Sequence, residues 1–272
     1  MMFQNGGGNS RTGSPVDHSA SIRKQQQTET DETFRDPHQN DTASDKNRIF
    51  SWGNGTNGQL GCGDKESKRT PVEVFLPSNP DGEICDTLIT GVACGSRHSF
   101  IWTDTGHCYG FGNNFYAQLG YDFRKGNYKE NQLEPHLLRS LFFGKVNQVA
   151  CGERHTLFAL ENGKIAACGA NNCGQIGIDS REETFVPRLI EELESVCKIA
   201  CGANHNLAVT GDGKIFMWGY GRACGNNRQD IFIPELVHIL QDDVIAVAAG
   251  GWHSLLLTGL SHGVFFTLSF VL

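Results

Sequence analysis

One two-clause pattern recurs four times in register, and a chain built this way must stack copies of a single structural unit. The first clause is Phe50-Ser-Trp-Gly-Asn-Gly-Thr-Asn-Gly-Gln-Leu-Gly61, then Tyr109 to Gly120, Ala166 to Gly177, and a worn copy from Phe216 to Gly225. The second is Val92-Ala-Cys-Gly-Ser-Arg-His-Ser99, then Val149 to Thr156, Ile199 to Asn206 and Val247 to Ser254. Its histidines, His98, His155, His205 and His253, lie 57, 50 and 48 residues apart, so loops absorb the variation while the motifs stay fixed.

Each period of about 50 residues reads as four antiparallel strands. In the third copy these are Val196–Cys201, Asn206–Thr210, Lys214–Trp218 and the proline-led Pro234-Glu-Leu-Val237. Asp212-Gly213 and Asn162-Gly163 are hairpin signals, expected as type I′ turns with positive φ. A proline heads the outer strand of every unit (Pro71, Pro135, Pro187, Pro234), where a missing backbone donor is tolerated. Four such strands per unit describe a propeller blade, and the fold class is all-β.

The boundaries follow composition. Residues 1 to 47 are polar, with too few large apolar groups to bury a core, and are expected to be a disordered tail. Residues 48 to 258 hold the repeats, and 259 to 272 form an apolar end of an interrupted blade. A net charge of −7 argues against a nucleic-acid partner. Absence of a signal-like start places the ten cysteines in a reducing cytoplasmic or nuclear compartment, not a secretory one. No apolar run is long enough to span a bilayer.

The motifs resemble the regulator-of-chromosome-condensation repeat: aromatic-x-Trp-Gly, Gly-Gln-Leu-Gly, a loop with Pro, then Val-Ala-Cys-Gly-x-x-His-Ser/Thr. The resemblance covers about Arg48 to Thr258 and implies blades of a seven-bladed β-propeller. Only four copies of each clause are present, so about four blade equivalents are expected, as an incomplete or open ring and a truncated or partial member. The alternative is a four-bladed ring closed by a composite of the first and last half-copies. An open strand edge is a site for self-association.

Gly53-Asn-Gly-Thr-Asn-Gly58 has dinucleotide-loop spacing, but no helix follows it, and no cofactor is expected. The four histidines lack close metal-ligand pairing and read as structural residues, together with Gly95, Gly152, Gly202 and Gly250. Cys94, Cys151 and Cys201 share a position that holds Ala249 in the fourth copy, which suits packing and not catalysis. No catalytic or metal residue is assigned.

Variable residues on the shared framework are the candidate partner contacts: Arg97, Arg154, Asn204 and Trp252, each one residue before the histidine, and the loop cluster Arg124, Lys125 and Lys129. Opposite in sign is Glu191-Glu-Leu-Glu194. The function expected is a protein-interaction scaffold or regulatory module presenting loop faces. The resemblance implies a second reading, a guanine nucleotide exchange factor for a small GTPase, and a third, chromatin binding, that the acidic tail disfavours.

Overall fold

A computed structural model describes residues 47–77, 88–121, 130–139, 141, 143–226, 229–238 and 243–259. The tail through residue 46 and the end from residue 260 lie outside the described residues, as do Arg124, Lys125 and Lys129. The described residues form sixteen strands and one 3-10 turn, Gly221–Cys224.

The strands group as three complete blades flanked by two halves. A leading half-blade pairs β1 (Ile49–Gly53) with β2 (Lys68–Val74). Blade two orders β3 (Ile89–Cys94), β4 (His98–Thr103), β5 (Cys108–Gly112) and β6 (Gln132–Leu137). Blade three is β7 (Val146–Cys151), β8 (His155–Leu160), β9 (Ile165–Gly169) and β10 (Thr184–Leu189). Blade four is β11 (Val196–Cys201), β12 (His205–Thr210), β13 (Ile215–Gly219) and β14 (Ile231–Leu236). The trailing half-blade holds β15 (Asp243–Ala249) and β16 (Ser254–Gly259). β16 and β1 do not pair, so the ring is open and the four-bladed closure is not formed.

Apolar cores lie between blades. Phe100 and Trp102 of blade two pack with Phe158 and Cys168 of blade three. Leu157, Ile165 and Ile190 of blade three pack with Ile199, Ala208 and Trp218 of blade four. Middle strands β4, β8 and β12 are buried at every residue because each is covered on both faces, which is why they lack a polar alternation.

Two local expectations need correction. The outer strands begin three residues before their prolines, and the pairing register shifts across each of those stretches. Proline, lacking an N–H, sits where the ladder is interrupted rather than at its start. The hairpins are not type I′ turns either. Thr210 N–H donates to Lys214 O (2.9 Å) around a three-residue loop in which Gly213 alone is left-handed (φ 82°), and Asp212 is not. A type I turn closed by a left-handed glycine needs only one positive φ.

The same turn recurs at Gly163 (φ 77°). A Cβ at Gly213 would meet nothing within 4 Å, whereas one at Gly163 would lie 2.9 Å from Ser195 Cα. Gly213→Ala is therefore expected to cost about 1 kcal/mol, the left-handed penalty alone. Gly163→Ala should cost more, and urea unfolding of the two variants checks the order.

Candidate functional site: a stapled arc and its loop face

Antiparallel pairing of His98 with Gly112, His155 with Gly169 and His205 with Gly219 puts the Gly-x-x-His turn and the start of the first-clause loop at the same end of each blade. Both clauses thus build one face, with the two-strand hairpins at the other end.

Inside that face the histidines link blades. His98 Nε2 lies 2.9 Å from Thr156 Oγ1, His155 Nε2 2.7 Å from Asn206 Oδ1, and His205 Nε2 3.0 Å from Ser254 Oγ. Each partner is the residue directly after the next blade's histidine. Thr156 Oγ1 gives its own proton to Gln118 O (2.7 Å), and Asn206 Nδ2 donates to Gln175 O (2.7 Å). Ser254 donates likewise to Ala223 O at 3.3 Å. The acceptor atom left to each histidine fixes the imidazole as the donor, so all three are Nε2–H tautomers. Their Nδ1 atoms have no hydrogen-bond partner and stand buried.

Burial holds these rings neutral, pushing His98 down to about 3 and His155 and His205 to about 4. The glycine before each is the space for the ring: a Cβ on Gly152 would sit 2.1 Å from His155 Cε1, and one on Gly202 2.0 Å from His205 Cε1. Gly95 and Gly250 stand in the same relation to His98 and His253. His253 is exposed, since no described blade follows it.

The first clause is structural as well. Gln59, Gln118 and Gln175 each accept, through Oε1, the backbone N–H two residues earlier (2.8 to 2.9 Å). Gly55 admits the Glu66 carbonyl, which a Cβ would approach to 2.0 Å, and Gly58 abuts Leu133. Room left by these glycines is filled by protein, which removes the dinucleotide reading. Burial pushes the Cys108, Cys151 and Cys168 thiols up, which keeps them protonated and unreactive. Among the described residues no group of three or more His, Cys, Asp or Glu is placed to hold a metal ion.

Three of the residues before the histidines, Arg154, Asn204 and Trp252, contact the preceding blade's first-clause loop. Arg154 lies over the Tyr116 ring (4.7 Å to its centroid), donates to Tyr116 Oη (3.2 Å) and pairs with Glu153 (3.2 Å). Phe115, half exposed, sets its edge against Tyr116 at 5.0 Å. Asn204 Oδ1 accepts from Gln175 Nε2 (3.3 Å), and Trp252 packs edge-on against Tyr220 at 5.3 Å. Arg97 is exposed. Arg181 continues the pattern over Phe232 at 4.5 Å. The four sequence-selected residues therefore form a row, not a cluster, and two of them are only part-exposed because they grip the neighbouring loop. Phe115, Tyr116 and Tyr220 were not among the residues singled out. Their signal is that bulky aromatics replace the Thr-Asn of the first copy and the Ala of the third.

The acidic Glu191, Glu192 and Glu194 lie at the opposite end, beside the start of β11, with Leu193 buried between them.

Stacked four-stranded blades with their clauses at one end define a β-propeller repeat protein whose ring is partial. Residues 41–256 match the RCC1-like domain, and the chain belongs to that family. Protein pim1 of Schizosaccharomyces pombe is 31% identical over 239 residues, covering 79% of this chain and 42% of pim1. The secretion-regulating guanine nucleotide exchange factor of Bos taurus is 33% identical, covering 82% of this chain and 48% of that protein. The crystal structure of human WBSCR16 superposes with a TM-score of 0.68 at 28% identity, over 81% of this chain and 56% of the other. This chain thus spans about half the length of these relatives or less. No described helix is long and apolar enough to cross a membrane.

Proposed function

We propose that the chain is a non-catalytic protein-interaction module that binds a protein partner through the loop face carrying Arg97, Arg154, Asn204 and Trp252. The observation that carries this is the rigid, solvent-facing set of aromatic and arginine side chains: Phe115, Tyr116 and Arg154 stacked across one blade junction, Tyr220 and Trp252 across another. Trp, Tyr and Arg are the residues that dominate binding energy at protein interfaces. Both sets are anchored to blades by the histidine staples, so little ordering is required on binding.

Affinity purification with quantitative mass spectrometry tests it. Tyr116→Ala with Trp252→Ala should reduce recovery of specific protein partners at least tenfold while leaving the fold intact. Undiminished recovery would refute this face, and loss only on Arg124, Lys125 and Lys129 all changed to Glu would move the contact to that loop.

A second reading is guanine nucleotide exchange on a small GTPase, favoured by the similarity to the bovine exchange factor. Labelled guanine nucleotide release from a panel of small GTPases decides it. Acceleration at substoichiometric protein supports exchange, and binding without release supports the scaffold.

A further inference from the structure

The hairpin end of the arc carries a cleft between two complete blades. It lies between the link that enters blade four, Glu192 to Ser195, and the hairpin joining β12 to β13, and its volume is about 560 Å³. That volume is within the range of pockets that take ligands. Half-buried Phe216 and buried Leu193 supply its apolar lining, and Glu192, Glu194, Asp212 and Lys214 its charges.

Two differences between repeats open it. The hairpin of blade three reads Leu160-Glu161-Asn162-Gly163, and that of blade four Thr210-Gly211-Asp212-Gly213. In blade three Asn162 Nδ2 donates to Phe143 O (3.0 Å), which ties the hairpin to the link entering that blade. A carboxylate has no hydrogen to give. Asp212 instead accepts from Thr210 Oγ1 (2.5 Å) and pairs with Lys214 Nζ (2.7 Å). Leu193, which stands three residues before Val196 as Phe143 stands before Val146, is therefore not tied to its hairpin in that way. Gly211 replaces Glu161 and puts no side chain into the space.

The charges in the cleft decide what fits it. Its one ammonium, on Lys214, is engaged by Asp212. Glu192 and Glu194 flank buried Leu193 in the chain, are exposed, and have no cationic partner among the described residues. Unpaired carboxylates beside an apolar lining suit a side chain with an aliphatic stem and a cationic head. Arginine suits them best, because its planar guanidinium can fork onto carboxylates and stack on a ring such as Phe216. We infer that the cleft receives basic side chains from an arginine- or lysine-rich segment of a second protein. This contact lies at the end of the blades opposite to Arg154 and Trp252 and is independent of them.

Fluorescence anisotropy of the labelled peptide Gly-Ser-Arg-Leu-Arg-Ser-Gly with the 272-residue chain tests this. Binding should saturate, weaken as salt rises, and fall at least tenfold when glutamine replaces both arginines of the peptide. Glu192→Gln with Glu194→Gln should weaken it at least tenfold. Glu161→Gln with Glu182→Gln removes as much negative charge from other exposed positions and should leave it within about twofold. Gly211→Lys should block the cleft from within. A Cβ there would meet only Ser195 O, at 3.7 Å, and Gly211 has no positive φ, so this variant should keep the circular dichroism of the parent. Tyr116→Ala with Trp252→Ala, which tests the loop face, should leave peptide affinity unchanged. Equal losses in the two glutamine pairs, undiminished binding in Gly211→Lys, loss in the loop-face variant, or no saturable binding would each overturn the inference.

Discussion

Between pH 7 and pH 5 the protein should lose most of its folding stability, before its carboxylates begin to titrate. His98, His155 and His205 are buried as neutral rings, held near 3, 4 and 4 against an unfolded value of 6.5. The folded chain binds protons at these sites more weakly than the unfolded one. Stability is therefore complete above pH 6.5 and is lost as pH falls from there toward 4. By pH 5 each ring costs on the order of 2 kcal/mol, so three together approach the stability of an ordinary domain. His136, lowered by partial burial, adds a smaller loss of the same sign. Urea unfolding across this range should show an uptake of close to three protons, falling to two in His98→Gln. A free energy that stays level from pH 7 to pH 5 would contradict neutral burial.

Gly152→Ala should destabilise the protein by about 3 kcal/mol, at the upper end for overpacking a core. The new methyl would meet His155 Cε1 at 2.1 Å and Nδ1 at 2.4 Å, with the Gly202 carbonyl at 2.9 Å behind. Gly152 has no positive φ, so the cost is collision with the ring and not backbone strain. The ring cannot retreat without leaving Asn206 Oδ1, which would strand a buried acceptor. Removing the ring should relieve the methyl. In a double-mutant cycle the cost of Gly152→Ala is expected to fall by at least 1 kcal/mol on the His155→Ala background. Additive free energies would show that the glycine serves something other than the ring.

The blade was legible because its signals are local: apolar runs, Asp-Gly and Asn-Gly turns, and prolines at a fixed offset. A structural role for histidine was legible for the same reason, although the local pattern suggests backbone partners on neighbouring strands and the structure supplies side chains. Its acceptor was not, because Thr156 and Asn206 come close to His98 and His155 only when blades stack. The residues after the four histidines, Ser99, Thr156, Asn206 and Ser254, are all small and polar, and that is the trace the pairing leaves in the sequence. Cys94, Cys151 and Cys201 read alike as packed small residues, yet Cys94 is exposed. A side chain's surroundings there depend on the preceding blade, which its own motif does not encode. The contact row shows the same limit: variability selected Arg154 and Trp252, while the rings they touch, Tyr116 and Tyr220, belong to another clause.

A relay of neutral histidines passing from blade to blade joins the apolar cores in holding the arc together, and helps fix the positions of Arg154 and Trp252 on its face. Long-range nitrogen–proton correlation spectra of protein labelled in its histidines observe those rings one by one. At pH 6, where the fold persists, three rings should be neutral and carry their proton on Nε2. Rings in that set that titrate near 6.5, or that carry the proton on Nδ1, would contradict the relay.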